Sequence, residues 1–195
     1  MTWGEVKIAT LQKMYAAEGN EIPDDGSADD YLAGMPYAAN EALNMIATAG
    51  RYFIKSYVIE HDANGSTQKY DLKTLVPDFY EVDKVYYESG SYYGEYSRYR
   101  MENGKIVLIG CPSGTYTVYY AAYPEQMTED TGDDYEFTLP KEVVVLLPLY
   151  MASQLYKDDD LSVSATLRNE FEVAFERLRN IDNSDAEFIS ESGWI

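Results

Sequence analysis

The sequence holds one histidine, His61, and one cysteine, Cys111. Activating a nucleophile takes such a pair plus a group that orients the base. No motif surrounds either residue. His61 lies close to Asn64-Gly65, a turn signal, and reads as a surface histidine. Cys111 precedes Pro112-Ser113-Gly114 and reads as a structural thiol in a turn. GxSxG, Walker A, GxGxxG and HExxH patterns do not occur, so the sequence assigns no catalytic residue and no cofactor.

Two acidic clusters could hold a hard cation: Asp158-Asp159-Asp160, and Asp24, Asp25, Asp29 and Asp30. Neither has the ordered spacing of a calcium loop. Three aspartates ahead of a helix are favoured by the positive end of its dipole without any metal. No spacing selects a carboxylate pair for glycoside hydrolysis. The strongest recognition signal is aromatic. Of 20 tyrosines, 14 lie between Tyr52 and Tyr123. Tyr92, Tyr93, Tyr96 and Tyr99, with Arg98 among them, form the best candidate patch for a partner or neighbouring subunit. Stacking sugar rings on these tyrosines is the alternative, a carbohydrate-binding or cell-surface recognition module. A second set, Phe188, Ile189, Trp194 and Ile195, is spaced along an acidic C-terminus and could anchor it to a partner.

Charge bounds the partners. The net charge is −19. Residues 1–50 carry 2 basic and 8 acidic side chains, 51–123 carry 8 and 9, and 124–195 carry 5 and 17. Such a chain does not grip nucleic acid by releasing counterions. It can surround DNA and let it slide.

The elements follow from pattern. Leu139 to Tyr156 is the most apolar window. Pro140 suits a first helical turn, so one central helix is expected over Pro140–Tyr156, kinked at Pro148. The run is shorter than the ~20 apolar residues a bilayer needs, so no membrane span is expected. Asp160 or Ser162 caps a further helix to near Asn180, with Leu167, Phe171, Ala174, Phe175 and Leu178 on one face. Thr2 and Glu5 match a capping box for a helix from Trp3 to Ala17, and the N-terminus carries no secretion signal. A helix with Pro36 in its first turn is expected after Met35. Between Arg51 and Tyr123 lie about six short strands divided by turns, with Asn103-Gly104 the clearest hairpin and Ser89 to Gly94 a loop tip. The expected fold is α+β: an antiparallel bundle of about four helices (1–50 and 137–180) interrupted by an antiparallel β-sandwich-like insertion (51–123), with a connector (124–136) and an extended C-terminal arm (181–195).

The layout resembles the head-to-tail adaptor (connector) proteins of tailed bacteriophages, the podovirus-like kind. The resemblance runs through Thr2-Trp3-Gly4-Glu5 with Leu11, Tyr31-Leu32, and Pro36 to Leu43 with Asn40. It continues through Thr117 to Pro124, Asp133-Asp134-Tyr135-Glu136 and Leu147-Pro148. Gln154 to Asp159 and Arg168-Asn169-Glu170-Phe171 complete it. It implies a structural virion protein without enzymatic activity, made in the host bacterial cytoplasm and placed at the neck between capsid and tail. It implies a homo-oligomeric ring, a dodecamer, bound to the portal protein on one side and to tail or nozzle proteins on the other. Double-stranded DNA would pass through an acidic lumen without being read. The arm would reach the portal, and the tyrosine patch would meet the tail or a neighbour.

Overall fold

The computed structural model describes residues 1–15, 19, 21–50, 52–62 and 65–188, with 180–188 as backbone only. The elements run α1 (Trp3–Lys13), α2 (Asp29–Gly50), β1 (Ile54–His61), β2 (Ser66–Asp71), α3 (Leu72–Leu75), β3 (Phe79–Ser89), β4 (Tyr92–Glu95), β5 (Tyr99–Glu102), β6 (Lys105–Cys111), β7 (Gly114–Ala122), α4 (Lys141–Val144), α5 (Leu147–Leu155) and α6 (Leu161–Phe188). The fold is mixed, with helices and two antiparallel sheets. It divides into two compact units, Met1–Leu43 with the chain from Gln126 onward, and Asn44–Glu125.

In the helical unit, α1 starts as expected. The Thr2 hydroxyl accepts the Glu5 N–H, and the Glu5 carboxylate accepts the Thr2 N–H at 2.9 Å. The helix ends at Lys13, short of Ala17, because Tyr15 takes a left-handed φ of 56°. α2 begins at Asp29 rather than after Met35, and Pro36 lies inside it. Asp29 and Asp30 favour the first turn through the helix dipole, and the helix carries through the one hydrogen bond that Pro36 cannot make.

The expected single helix over Pro140–Tyr156 is two helices. Pro148 has no N–H to offer the Val144 carbonyl. The chain breaks at Val145-Leu146, and Pro148 opens the first turn of α5 instead of kinking a longer rod. Val145 stays exposed, while Leu147, Met151 and Ala152 are fully buried. Burying a side chain such as Leu147 contributes about 2 kcal/mol. α5 packs against α1 and α6. The Tyr150 hydroxyl donates to Glu41 of α2 at 3.1 Å, and its ring meets Phe171 of α6 edge-on, 5.1 Å between centroids. The Ser164 hydroxyl donates to the Ser153 carbonyl at 2.7 Å, satisfying a buried polar pair.

Asp160 caps α6, its Oδ1 accepting the N–H groups of Ser162 and Val163 at 2.9 and 3.0 Å. The helix expected to stop near Asn180 runs to Phe188, so residues 181–188 are helical, not an extended arm. No proline or glycine interrupts the chain before Gly193.

The strand unit has a four-stranded sheet, β1-β7-β3-β4, and a three-stranded sheet, β2-β6-β5. Among the described residues it has seven strands rather than about six, because Tyr92–Glu95 forms β4, paired to β3 across a turn where Gly90 takes φ 61°. Asn103-Gly104 turns as expected, with φ of 50° and 81°, the signature of a type I′ hairpin. Both sheets feed one hydrophobic cluster that includes Ile59, Val85, Ile106, Leu108, Tyr116 and Val118.

Candidate interaction surfaces

Strand alternation divides the predicted tyrosine patch. Tyr93 lies on the outer face of the four-stranded sheet and stacks on Tyr86, centroids 5.2 Å apart and planes 12° off parallel. Tyr119 meets Tyr86 edge-on at 5.7 Å. Tyr92, one residue earlier, contacts Tyr87 on the opposite side. Tyr96 is only 8% exposed. Its hydroxyl donates to the Ile109 carbonyl, and burial pushes its pKa up. Tyr99 packs half-buried against the same core. Arg98 is exposed beside Gly110. The expected patch of Tyr92, Tyr93, Tyr96, Arg98 and Tyr99 is therefore not one surface. Tyr96 belongs to the core, because its ring fills the space against Tyr116, 5.0 Å away.

A different patch lies on the four-stranded sheet. Ile54 and Val58 of β1 pair with Ala121 and Thr117 of β7, and Thr117 pairs in turn with Tyr86 of β3. Ile54 and Val58 are 43% and 51% exposed, and Tyr93 is 59% exposed. By register the same face carries Glu60, Lys84, Glu88 and Glu95, so exposed apolar and charged side chains are mixed on it. The period-2 alternation of β1 and β7 carried the signal; clustering of tyrosines along the sequence concealed it.

His61 is not on the surface. It is 3% exposed. Its Nδ1 lies 2.9 Å from the Tyr70 hydroxyl and its Nε2 3.0 Å from Cys111 Sγ. Asp62 and Gly65 are exposed, but His61 still belongs to β1 and faces inward beside Ile59. Cys111 is the last residue of β6 rather than part of a turn; it is buried, and desolvation raises its thiol pKa. A thiol held protonated and closed off from solvent is a poor nucleophile.

The acidic clusters are absorbed by local structure. Asp159 accepts the Tyr31 hydroxyl at 2.9 Å. Burial first, then Asp159, push the Tyr31 pKa up to about 12. Asp25 accepts the Ser27 N–H at 3.0 Å, and hydrogen bonds from Ser27 lower its pKa. Among the described residues no group of three or more His, Cys, Asp or Glu side chains is placed to hold a metal. Nor is any described helix long and apolar enough to cross a membrane.

In the helical unit the connector lies on the start of α1. The Trp3 and Gly4 N–H groups donate to the Tyr135 and Asp133 carbonyls at 2.8 and 2.9 Å, and Lys7 pairs with Asp133. These are unsatisfied donors of a helix start, met by chain rather than water. A Cβ at Gly4 would stand 3.0 Å from Asp133 Cβ, so a side chain there would push Asp133 back by a few tenths of an ångström. Asn40 clamps the other end, bonding the Met127 N–H and carbonyl at 2.7 and 2.9 Å. Beside this joint lies a groove of about 330 Å³ lined by Trp3, Lys7, Leu32, Ala33, Pro36, Thr128 and Glu129. Of the proposed arm contacts, Phe188 ends α6 as backbone, and Ile189, Trp194 and Ile195 lie outside the described residues.

A family model described as SU10 adaptor protein matches residues 1–190. No curated protein matches the chain.

Proposed function

The chain belongs to the SU10 adaptor protein family, a phage head–tail adaptor family, and from that membership we propose that it is a ring subunit joining a phage portal to the tail. The coarse role follows from the family: a structural phage protein that associates with other head or tail components at the virion neck. The observation that carries the finer reading is the extent of the match, 1–190, which takes in both units rather than a shared module.

We read the helical unit as an antiparallel bundle around α5 and the strand unit as a two-sheet sandwich. Support comes from the contacts of α5 with α1, α2 and α6, and from the one cluster that both sheets fill. In this reading the subunits stand side by side in a dodecamer, the C-terminal end of the chain contacts the portal, and the strand unit contacts the tail or a neighbouring subunit. The helical unit carries 24 of the 34 acidic residues against 7 of the 15 basic ones, which suits a channel wall that repels phosphates. No covalent step is involved.

The glycan-binding alternative is less well supported, since the buried Tyr96 cannot join the exposed Tyr92 and Tyr93 in one platform. The test is assembly. The purified chain, sized alone and with the portal protein of the same phage, should give a closed ring that co-sediments with portal. A monomer under both conditions would refute the reading.

A further inference from the structure

The outer face of the three-stranded sheet is built of charge. Lys69 and Arg100 both pair in register with Val107, and Asp71 and Glu102 both pair with Lys105. All these side chains therefore share one face. Lys69 reaches across the central strand to Glu102 at 2.6 Å, Arg100 meets the same carboxylate at 2.6 Å, and Lys105 meets Asp71 at 3.2 Å. Val107 takes no part in the hydrophobic cluster beneath the sheet, yet it is fully buried, because the stems of these charged residues lie over it. Arg98 precedes β5 and is exposed beside Gly110. Three cations share this face with two carboxylates, in a chain whose net charge is −19.

The complementary feature is in the helical unit. Glu129, Asp130, Asp133, Asp134 and Glu136 are all exposed, in a segment fixed to α1 by backbone hydrogen bonds. We propose that the basic sheet face docks on this acidic connector of a second copy of the chain. The inference rests on the ring reading and identifies the contact that closes the ring. A ring needs a heterologous contact, two unlike patches on each subunit, and this chain offers one of each sign. Asp71 and Glu102 hold the cations in place, so little ordering is required on docking. Nucleic acid is the less favoured occupant, because the acidic excess of the helical unit opposes phosphate.

The experiment sizes the full-length chain by native mass spectrometry and light scattering, alone and with portal. Variants are Lys69→Glu/Arg100→Glu, Asp130→Lys/Asp134→Lys, and, with the same charge change on the other sheet, Lys55→Glu/Lys84→Glu. Circular dichroism and thermal melting check that each is folded. Each of the first two should weaken assembly at least tenfold, the third should not, and mixing the first two should restore rings of alternating subunits. Wild-type rings from either of the first two folded variants, or no restoration on mixing, would overturn the proposal and leave the ring reading standing. A wild-type chain that never assembles would remove the ring reading, and the proposal with it. A labelled DNA duplex bound by the wild type and lost only in the sheet variant would reassign the face to nucleic acid.

Discussion

Cys111 Sγ lies 3.0 Å from His61 Nε2. The only cysteine and the only histidine in the sequence thus touch, one from each sheet, inside the hydrophobic cluster. Neutral His61 can donate from Nδ1 to the Tyr70 oxygen and accept the thiol proton at Nε2. The thiol also lies 3.2 Å from the Ser66 carbonyl. The arrangement ties β1, β2 and β6 together and leaves no reacting group open to substrate.

It follows that Cys111 is chemically silent while the chain is folded. Burial raises its pKa, so little thiolate forms near neutrality. A thiol reagent at pH 8 should label no cysteine in the native protein and one per chain in guanidinium. Rapid native labelling would contradict the burial described. His61→Ala should destabilise by about 2–4 kcal/mol, through lost packing and the stranded Tyr70 hydroxyl. Denaturant melts measure it.

Alkaline pH should unfold the protein through its tyrosines. Burial raises Tyr31 and Tyr120 to about 12, and raises Tyr116 further. A folded pKa above the unfolded value of about 10 leaves stability intact below pH 10 and removes it as pH rises toward 12. Absorbance at 295 nm should show a late-ionising set of tyrosines that ionises near pH 10 in denaturant. One native transition near pH 10 would contradict this.

On the acid side the ion pairs of the three-stranded sheet should fail. Lys69 lowers the Glu102 pKa and Lys105 lowers that of Asp71. Depressed folded values give stability that is present above the ordinary carboxylate range and is lost as pH falls through the folded values. Melting temperature should fall below about pH 4, and the fall should shrink in Glu102→Gln. An unchanged profile in that variant would mean the pairs contribute nothing.

Gly114→Ala should be strongly destabilising. Gly114 has φ 152°, and an added Cβ would stand 2.6 Å from the Glu88 carbonyl oxygen, which is backbone and cannot swing away. A loss of about 2–3 kcal/mol is expected in urea melts. Asp160→Ala, which removes the α6 cap, should cost about 1 kcal/mol.

The sequence made the capping box at Thr2, the hairpin at Asn103-Gly104 and the cap at Asp160 legible, because each depends on residues a few positions apart. Pro148 misled in kind: its missing N–H is local, but whether it bends a helix or starts a new one depends on how Val144 and Leu147 are packed. Pro36 misled in the opposite direction. It suggested a helix start, yet α2 begins at Asp29 and passes through it. The candidate surfaces were least legible. Tyr92 and Tyr93 are neighbours in sequence and opposites on the sheet, while Lys69 and Glu102 are 33 positions apart and share an ion pair. His61 looked exposed because of the turn that follows; burial was decided by its strand partner Gly114 and by Tyr70 and Cys111.

The proposed role requires that copies of this chain close into a ring that seats on a portal. Electron microscopy of the purified chain mixed with its phage's portal protein tests it most directly. Closed rings stacked coaxially on the portal, with an open channel wide enough for a DNA duplex, are expected. Isolated single subunits beside bare portals would contradict it.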